Sequence, residues 1–253
     1  LLTDDTVAGP ADQLAQGKTY VNSIVRYGLE IFFLSVNLEM GRGFINCMWM
    51  EAPRNNQKSI IQILQTYAGE EGAAHVAISY GARSSLLDFG DWTEAVRNTM
   101  KSNWNNNWWF YMYPSGDGTT EFSPPTKQIP HHQGRNIIPI EISEGTTSVT
   151  VELTPDSQGS LGTQQRMLGQ LTYRTKDDKP VYGEIFASGQ NTIQIPNGAR
   201  NNIVNFVVAV TNPNAASGGD DNSNKGFNGQ EHFNYKARIV SGGKVAPTTT
   251  RPW

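Results

Sequence analysis

The sequence predicts an α+β fold, a helical subdomain followed by an antiparallel β-sandwich of immunoglobulin-like type. Apolar residues recur at helical spacing through the first half of the chain and switch to period two from Asn136 onward. A Pro- and Gly-rich stretch, Pro114 to Arg135, separates the two regimes. The expected organisation is therefore 1–135 as a helical subdomain with a linker at its end, and 136–253 as the β-domain.

Tyr20, Val21, Ile24, Val25, Ile31, Phe32 and Leu34 define the first helix, which should stop near Gly41-Arg42-Gly43. A second helix is expected from Asn56 to Tyr67, punctuated by Gly69-Glu70-Glu71-Gly72. A short helix, Ala73 to Ser79, should end at Tyr80-Gly81. Ser85 with Asp88 three residues on reads as a capping box, and Phe89, Trp92, Val96 and Met100 then share one helix face. Strands are expected at Ile137–Ile142, Ser148–Leu153, Met167–Arg174, Val181–Ala187, Thr192–Ile195, Ile203–Val210 and Phe233–Val240. Turn residues such as Asp177-Asp178-Lys179-Pro180 and Pro196-Asn197-Gly198 divide them. Seven short strands in a little over 100 residues are the pattern of a sandwich. The loop Asn212 to Gln230 is long and rich in Gly, Asn and Asp, which marks it as functional or disordered.

The chain has 253 residues and a net charge of −3, with charged residues at 17%. A nucleic-acid binder would carry a basic excess. Abundant Asn, Gln, Ser and Thr instead fit an extracellular protein. The densest apolar run, Leu29 to Leu38, is about half the roughly 18 residues a membrane span needs, and it contains Glu30. The chain begins at Leu1 with no signal peptide, so a processed product or a piece lacking its natural start is expected. The single cysteine, Cys47, sits among Phe44, Ile45, Met48 and Trp49 and is expected to be a buried, inert thiol.

The candidate binding surface is the stretch Ser102 to Tyr113, in which Trp104, Asn107, Trp108, Trp109, Tyr111 and Tyr113 combine flat rings with amides. Rings stack on the C–H faces of sugars, and amides pair with hydroxyls. The same stretch also suits packing between the two halves, with Trp104 and Tyr113 the outward-facing candidates. Asp220 and Asp221 in the long loop, and Asp117, offer oxygen ligands for Ca2+. Glu71 and His75 stand four apart, as two metal ligands or an acid/base pair would, but Glu70 and Glu71 are better explained as charges at a helix start. Asp88, Asp91 and Glu94 have the same two readings, as a glycosidase pair or as helix N-terminal charges. His131-His132 lies in a loop with no nearby Cys or carboxylate to complete a metal site.

The order of several motifs resembles an uncharacterised family of secreted bacterial and fungal proteins with a zincin-like N-terminal part and a C-terminal β-domain. RYGLEIFFLSV, FINCMW followed by KSIIQILQTYAG, SLLDFGDWTEAVRNTM and QIPHHQGRNIIPIEI carry the likeness in the first half. RMLGQLTYRTKDDKPVYGEIF and NIVNFVVAVTNPN carry it in the second. The resemblance implies an HExxH zinc helix and a downstream Glu. None of His75, His131, His132 or His232 begins such a motif, so Zn2+ is expected only if the motif lies upstream of this chain, and no catalytic residue carries over. The leading expectation is a secreted, non-catalytic module that contacts extracellular polysaccharide or glycoprotein. The alternatives are part of a zinc-dependent peptidase-like hydrolase, or a glycan-cleaving enzyme using carboxylates among Glu70, Glu71, Asp88 and Asp91.

Overall fold

A computed structural model describes residues 25–51, 60–103, 119–124, 130, 135–155, 166–211 and 234–246. The helical half comprises α1 (Val25–Met40), α2 (Arg42–Glu51), α3 (Ile60–Leu86), a 3-10 turn at Gly90–Trp92 and α4 (Thr93–Asn103). The strands are β1 (Glu121–Phe122), β2 (Arg135–Glu141), β3 (Ser148–Pro155), β4 (Arg166–Thr175), β5 (Pro180–Phe186), β6 (Gly189–Gln194), β7 (Ala199–Thr211), β8 (Tyr235–Ser241) and β9 (Lys244–Val245). They form two antiparallel sheets, ordered β1-β8-β3-β6 and β5-β4-β7-β2-β9. Among the described residues no helix is long and apolar enough to cross a membrane.

The alternation of the strands builds the sandwich. Val149, Val151 and Leu153 of β3, with Ala237 and Ile239 of β8, face Ile138 and Ile140 of β2, Leu171 and Tyr173 of β4, and Val204, Phe206 and Val208 of β7 across one core. The opposite face of the five-stranded sheet is covered too. There Ile137 of β2 and Val207 and Ala209 of β7 pack with Ile78 of α3. β7 is therefore buried on both sides, which explains its unbroken apolar run. The molecule stacks three layers: helices, the five-stranded sheet and the four-stranded sheet. Glu121–Phe122, inside the stretch expected to be linker, pairs with β8, and Phe122 enters the sandwich core.

The helices depart from the sequence reading at three points. The chain breaks at Gly69 (φ 71°, ψ 175°), and the helix then runs unbroken through Gly72 and past Tyr80-Gly81 to Leu86. Gly81 is not a stop signal but a contact. A Cβ there would stand 2.7 Å from Val207 Cγ1 and 2.9 Å from Arg135 Cδ, so only glycine lets α3 approach the sheet this closely. Ser85 caps nothing. It lies in the last turn of α3, where its Oγ bonds Ala82 O at 2.7 Å and Thr172 Oγ1 of β4 at 2.9 Å. The end of α3 is capped by Arg174, whose Nε donates to Leu86 O at 2.8 Å. Finally, α4 starts only at Thr93, so Trp92 leaves the expected helix face and is 58% exposed, while Phe89 and Val96 are buried.

Cys47 is exposed, contrary to its apolar neighbourhood. α2 buries Met48 and half-buries Phe44 and Ile45, and Cys47 projects from its other side. A run of apolar letters in a helix fixes only which residues share a face.

Gly81→Val should destabilise the protein by about 1–3 kcal/mol through overpacking against Val207 and Arg135. Gly43→Ala in α2, where nothing lies within 4 Å, should be neutral or stabilise by up to about 1 kcal/mol. Urea unfolding of both variants checks the contrast, and equal midpoints would contradict the close-approach role of Gly81.

Candidate functional site

A polar cleft of about 200 Å3 opens where α1, α3 and β5 meet, lined by Glu39, His75, Ser79, Arg83, Gln170, Tyr182 and Ile185. His75, Ser79 and Arg83 follow one another at four-residue steps, so one stripe of α3 presents all three. The last turn of α1 brings Glu39 against that stripe. Asp88, just beyond α3, and Tyr182, from β5, complete the group.

Glu39 is saturated. Its Oε1 accepts from Ser79 Oγ at 2.5 Å and from Arg83 Nε at 3.0 Å and Nη2 at 2.8 Å, and its Oε2 lies 3.2 Å from His75 Nε2. The hydrogen bond with His75, then those from Ser79 and Arg83, outweigh burial and hold its pKa at about 2. The same contact with Glu39 raises the pKa of His75, whose side chain is 55% exposed. Arg83 spans to a second acid, with Nη1 3.4 Å from Asp88 Oδ2. Tyr182 donates its hydroxyl to the same Oδ2 at 2.5 Å, and its ring centroid lies 5.7 Å from the Arg83 guanidinium carbon. Burial, reinforced by the Asp88 carboxylate, pushes the Tyr182 phenol well above its ordinary value, so it remains a neutral donor.

The residue types of a nucleophilic triad are present here, but the wiring is not. A serine nucleophile must give its proton to the imidazole. Ser79 instead donates to Glu39, and the His75 nitrogen that points inward is held by the same carboxylate. His75 and Ser79 also stand at the separation of the two histidines in an HExxH helix. The second ligand position is a serine, and the residue after His75 is Val76, fully buried in the helical core where such a helix carries its glutamate. A divalent ion on Glu39 would have to displace Arg83.

The sequence-derived candidates fare unevenly. Trp104, Asn107, Trp108, Trp109, Tyr111, Tyr113, Asp220, Asp221, Asp117, His131 and His132 lie outside the described residues. Glu70 and Glu71 are exposed at the start of the helical segment after Gly69. His75 is drawn to Glu39 on another helix. Asp91 and Glu94 sit in first helical turns, whereas Asp88 turns into the cleft. Sequence reasoning missed Glu39, Ser79, Arg83 and Tyr182. The four-residue stripe His75-Ser79-Arg83 was the available signal, and stopping the helix at Tyr80 concealed it.

Layering and cleft together define an α+β protein with a helical cover over one face of a β-sandwich and a charged site at the edge of that cover. The chain belongs to DUF6055, a family of unknown function, whose sequence pattern matches residues 13–244. No curated protein matches the chain.

The cleft has a defined pH signature. Glu39 has a depressed pKa, so its contribution to stability is complete above the ordinary value of 4.5 and is lost as pH falls toward 2. His75 has a raised pKa, so its contribution is complete below 6.5 and is lost as pH rises through the folded-state value. The cluster should therefore stabilise most between about pH 4.5 and 6.5. Glu39→Gln should cost about 2 kcal/mol, since Arg83 loses its main partner. His75→Gln should flatten only the alkaline side of the profile. Thermal unfolding from pH 3 to 9 checks both, and an unchanged alkaline limb in His75→Gln would refute the His75 assignment.

Proposed function

We propose that this chain is a non-catalytic binding module that attaches to glycans or glycoprotein surfaces outside the cell. The observation that carries this reading is the condition of the cleft. Glu39 is ionised, consumed by four hydrogen bonds and far too weak a base for acid/base work near neutral pH, and Asp88 is held by Arg83 and Tyr182. The carboxylate-based glycosidase reading loses Asp88 for the same reason. Binding, by contrast, has suitable surfaces. Trp49 is 65% exposed and stacks on Phe33 with centroids 6.2 Å apart, which fixes the indole plane at the surface. Trp92 and Tyr67 also present their rings to solvent. A rigid exposed ring offers a flat apolar face to sugar C–H groups at little entropic cost.

The alternative is that the chain belongs to a zinc-dependent, peptidase-like hydrolase whose metal motif lies outside it. The order of motifs from RYGLEIFFLSV to NIVNFVVAVTNPN, which resembles that of proteins with a zincin-like N-terminal part, is what supports this reading. Zinc content of the full natural protein, and an HExxH elsewhere in it, decide the matter; absence of both removes the alternative.

Affinity electrophoresis through a panel of neutral and charged polysaccharides tests the binding reading. Retardation should occur on at least one polymer, and Trp49→Ala and Trp92→Ala should each weaken it roughly three- to tenfold while leaving the fold intact. Unaltered mobility on every polymer would sink the proposal.

A further inference from the structure

Three guanidinium groups from three elements converge on one carboxylate at the far end of the helix–sheet seam. The β4–β5 hairpin closes through Asp178 N–H to Thr175 O at 2.8 Å and Thr175 N–H to Lys179 O at 2.9 Å. Asp178 takes a left-handed conformation there (φ 65°), which a short polar side chain tolerates. Its Oδ2 accepts from Arg97 of α4 at 2.8 Å, and its Oδ1 accepts from Arg200 of β7 and lies 3.3 Å from Arg174 of β4.

These three cations are not equivalent. Arg174 is 6% exposed and spends Nε on Leu86 O and Nη1 on Asp178 O, so it is structural. Burial, and then the Arg97 cation, push its pKa down. Arg97 and Arg200 are partly exposed and each makes a single hydrogen bond among the described residues, through Nη1 to Asp178. Because they grip opposite oxygens of one carboxylate, their Nη1 atoms stand no more than about 8 Å apart. The two guanidinium groups held in this way are a cationic fork, and their remaining donors have no partner among the described residues. Lys176, exposed in the same hairpin, folds over Gly198, its Cε 3.2 Å from where a glycine Cβ would stand. That places its ammonium beside the turn that leads to Arg200. Neither Lys176 nor Lys179 has a carboxylate partner among the described residues; besides Asp178, the hairpin carries the acids Asp177 in its turn and Glu184 on β5.

We propose that the Arg97–Arg200 fork, held open by Asp178 and extended by Lys176, docks an oxyanion-bearing polysaccharide, carboxylated or sulfated. The inference rests on the glycan reading above and specifies its ligand. Guanidinium edges pair with carboxylate and sulfate oxygens in two-point fashion, and a lysine adds a point charge. Exposed Lys176 extends the charge beyond the two arginines, which suits a polymer of repeating charge better than a single small anion. The chain as a whole is acidic, so attraction to a polyanion must be local to this patch.

Dextran and dextran sulfate share a backbone and differ in charge, so affinity electrophoresis against the pair, with polygalacturonate as the carboxylate probe, isolates the charge reading. The charged polymers should bind at least about fivefold more tightly than dextran, with the preference fading as salt is raised. Arg97→Gln combined with Arg200→Gln should weaken that binding by about tenfold or more. Lys176→Glu, at the surface and outside the Asp178 bonds, should weaken it about fivefold with an unchanged melting temperature; it decides the question if the double variant does not fold. Equal binding to dextran, equal retention on single-stranded DNA, or wild-type binding by Lys176→Glu overturns the proposal. Loss of binding in Trp49→Ala or Trp92→Ala with full retention in the charge variants defeats this inference alone. No retention on any polysaccharide defeats the glycan reading as well.

Discussion

The architecture depends on the contact between the second half of α3 and the five-stranded sheet. At Gly81 the helix backbone comes close enough to touch Val207 and Arg135, and Ile78 fills the adjoining apolar space with Ile137 and Ala209. The polar cleft hangs on that approach. The stripe His75-Ser79-Arg83 faces its cleft because the neighbouring stripe of the same helix faces the sheet. Tyr182 reaches Asp88, and Arg174 reaches Leu86 O, only because β4 and β5 lie under the end of α3.

This seam is unusually polar for a helix–sheet contact. Arg135 is 1% exposed, with the Tyr80 ring 4.1 Å from its guanidinium carbon and Ser84 Oγ 3.5 Å from Nη2, and burial lowers its pKa. The ring's quadrupole offsets part of the desolvation that a buried cation suffers. Asn205, Thr172 and Arg174 add further polar groups facing α3, each bonded to its backbone or to Ser85. An apolar seam would hold more tightly but would permit sliding. Directional bonds to Ser85 O and Leu86 O fix the height at which the helix ends, and so fix where Asp88 falls.

The strands were legible in the sequence because a half-buried sheet leaves an alternation that survives any detail of packing. All seven expected strands occur, and the two overlooked, β1 and β9, are two-residue pairings too short to leave a period. The helical half was less legible. Gly81 and Ser85 each have two meanings, a stop or a close contact for glycine, a cap or a cross-layer hydrogen bond for serine. Only the partner layer decides between them, and the partners Val207 and Thr172 lie far along the chain. Glu39 was unreadable for the same reason, since nothing near it in sequence announces His75, Ser79 and Arg83. The basic fork is a further case: Asp178 reads as an ordinary turn residue, and its three arginines come from three separate elements.

The strand order β5-β4-β7-β2-β9 also governs how the chain reaches this state. β2 pairs along its length with β7, as in Ile137 opposite Val207, a strand about 70 residues later in the chain. Until β7 has been synthesised, the isoleucines of β2 have no main partner and α3 lacks Val207 and Ala209, which complete its sheet-side core. Closure of so long a loop is entropically slow. The nascent chain must therefore carry an unpaired, isoleucine-rich strand and an incompletely covered helix face over the roughly 70 residues that separate β2 from β7. For this fold, the interval before β7 emerges is when self-association competes most strongly with folding.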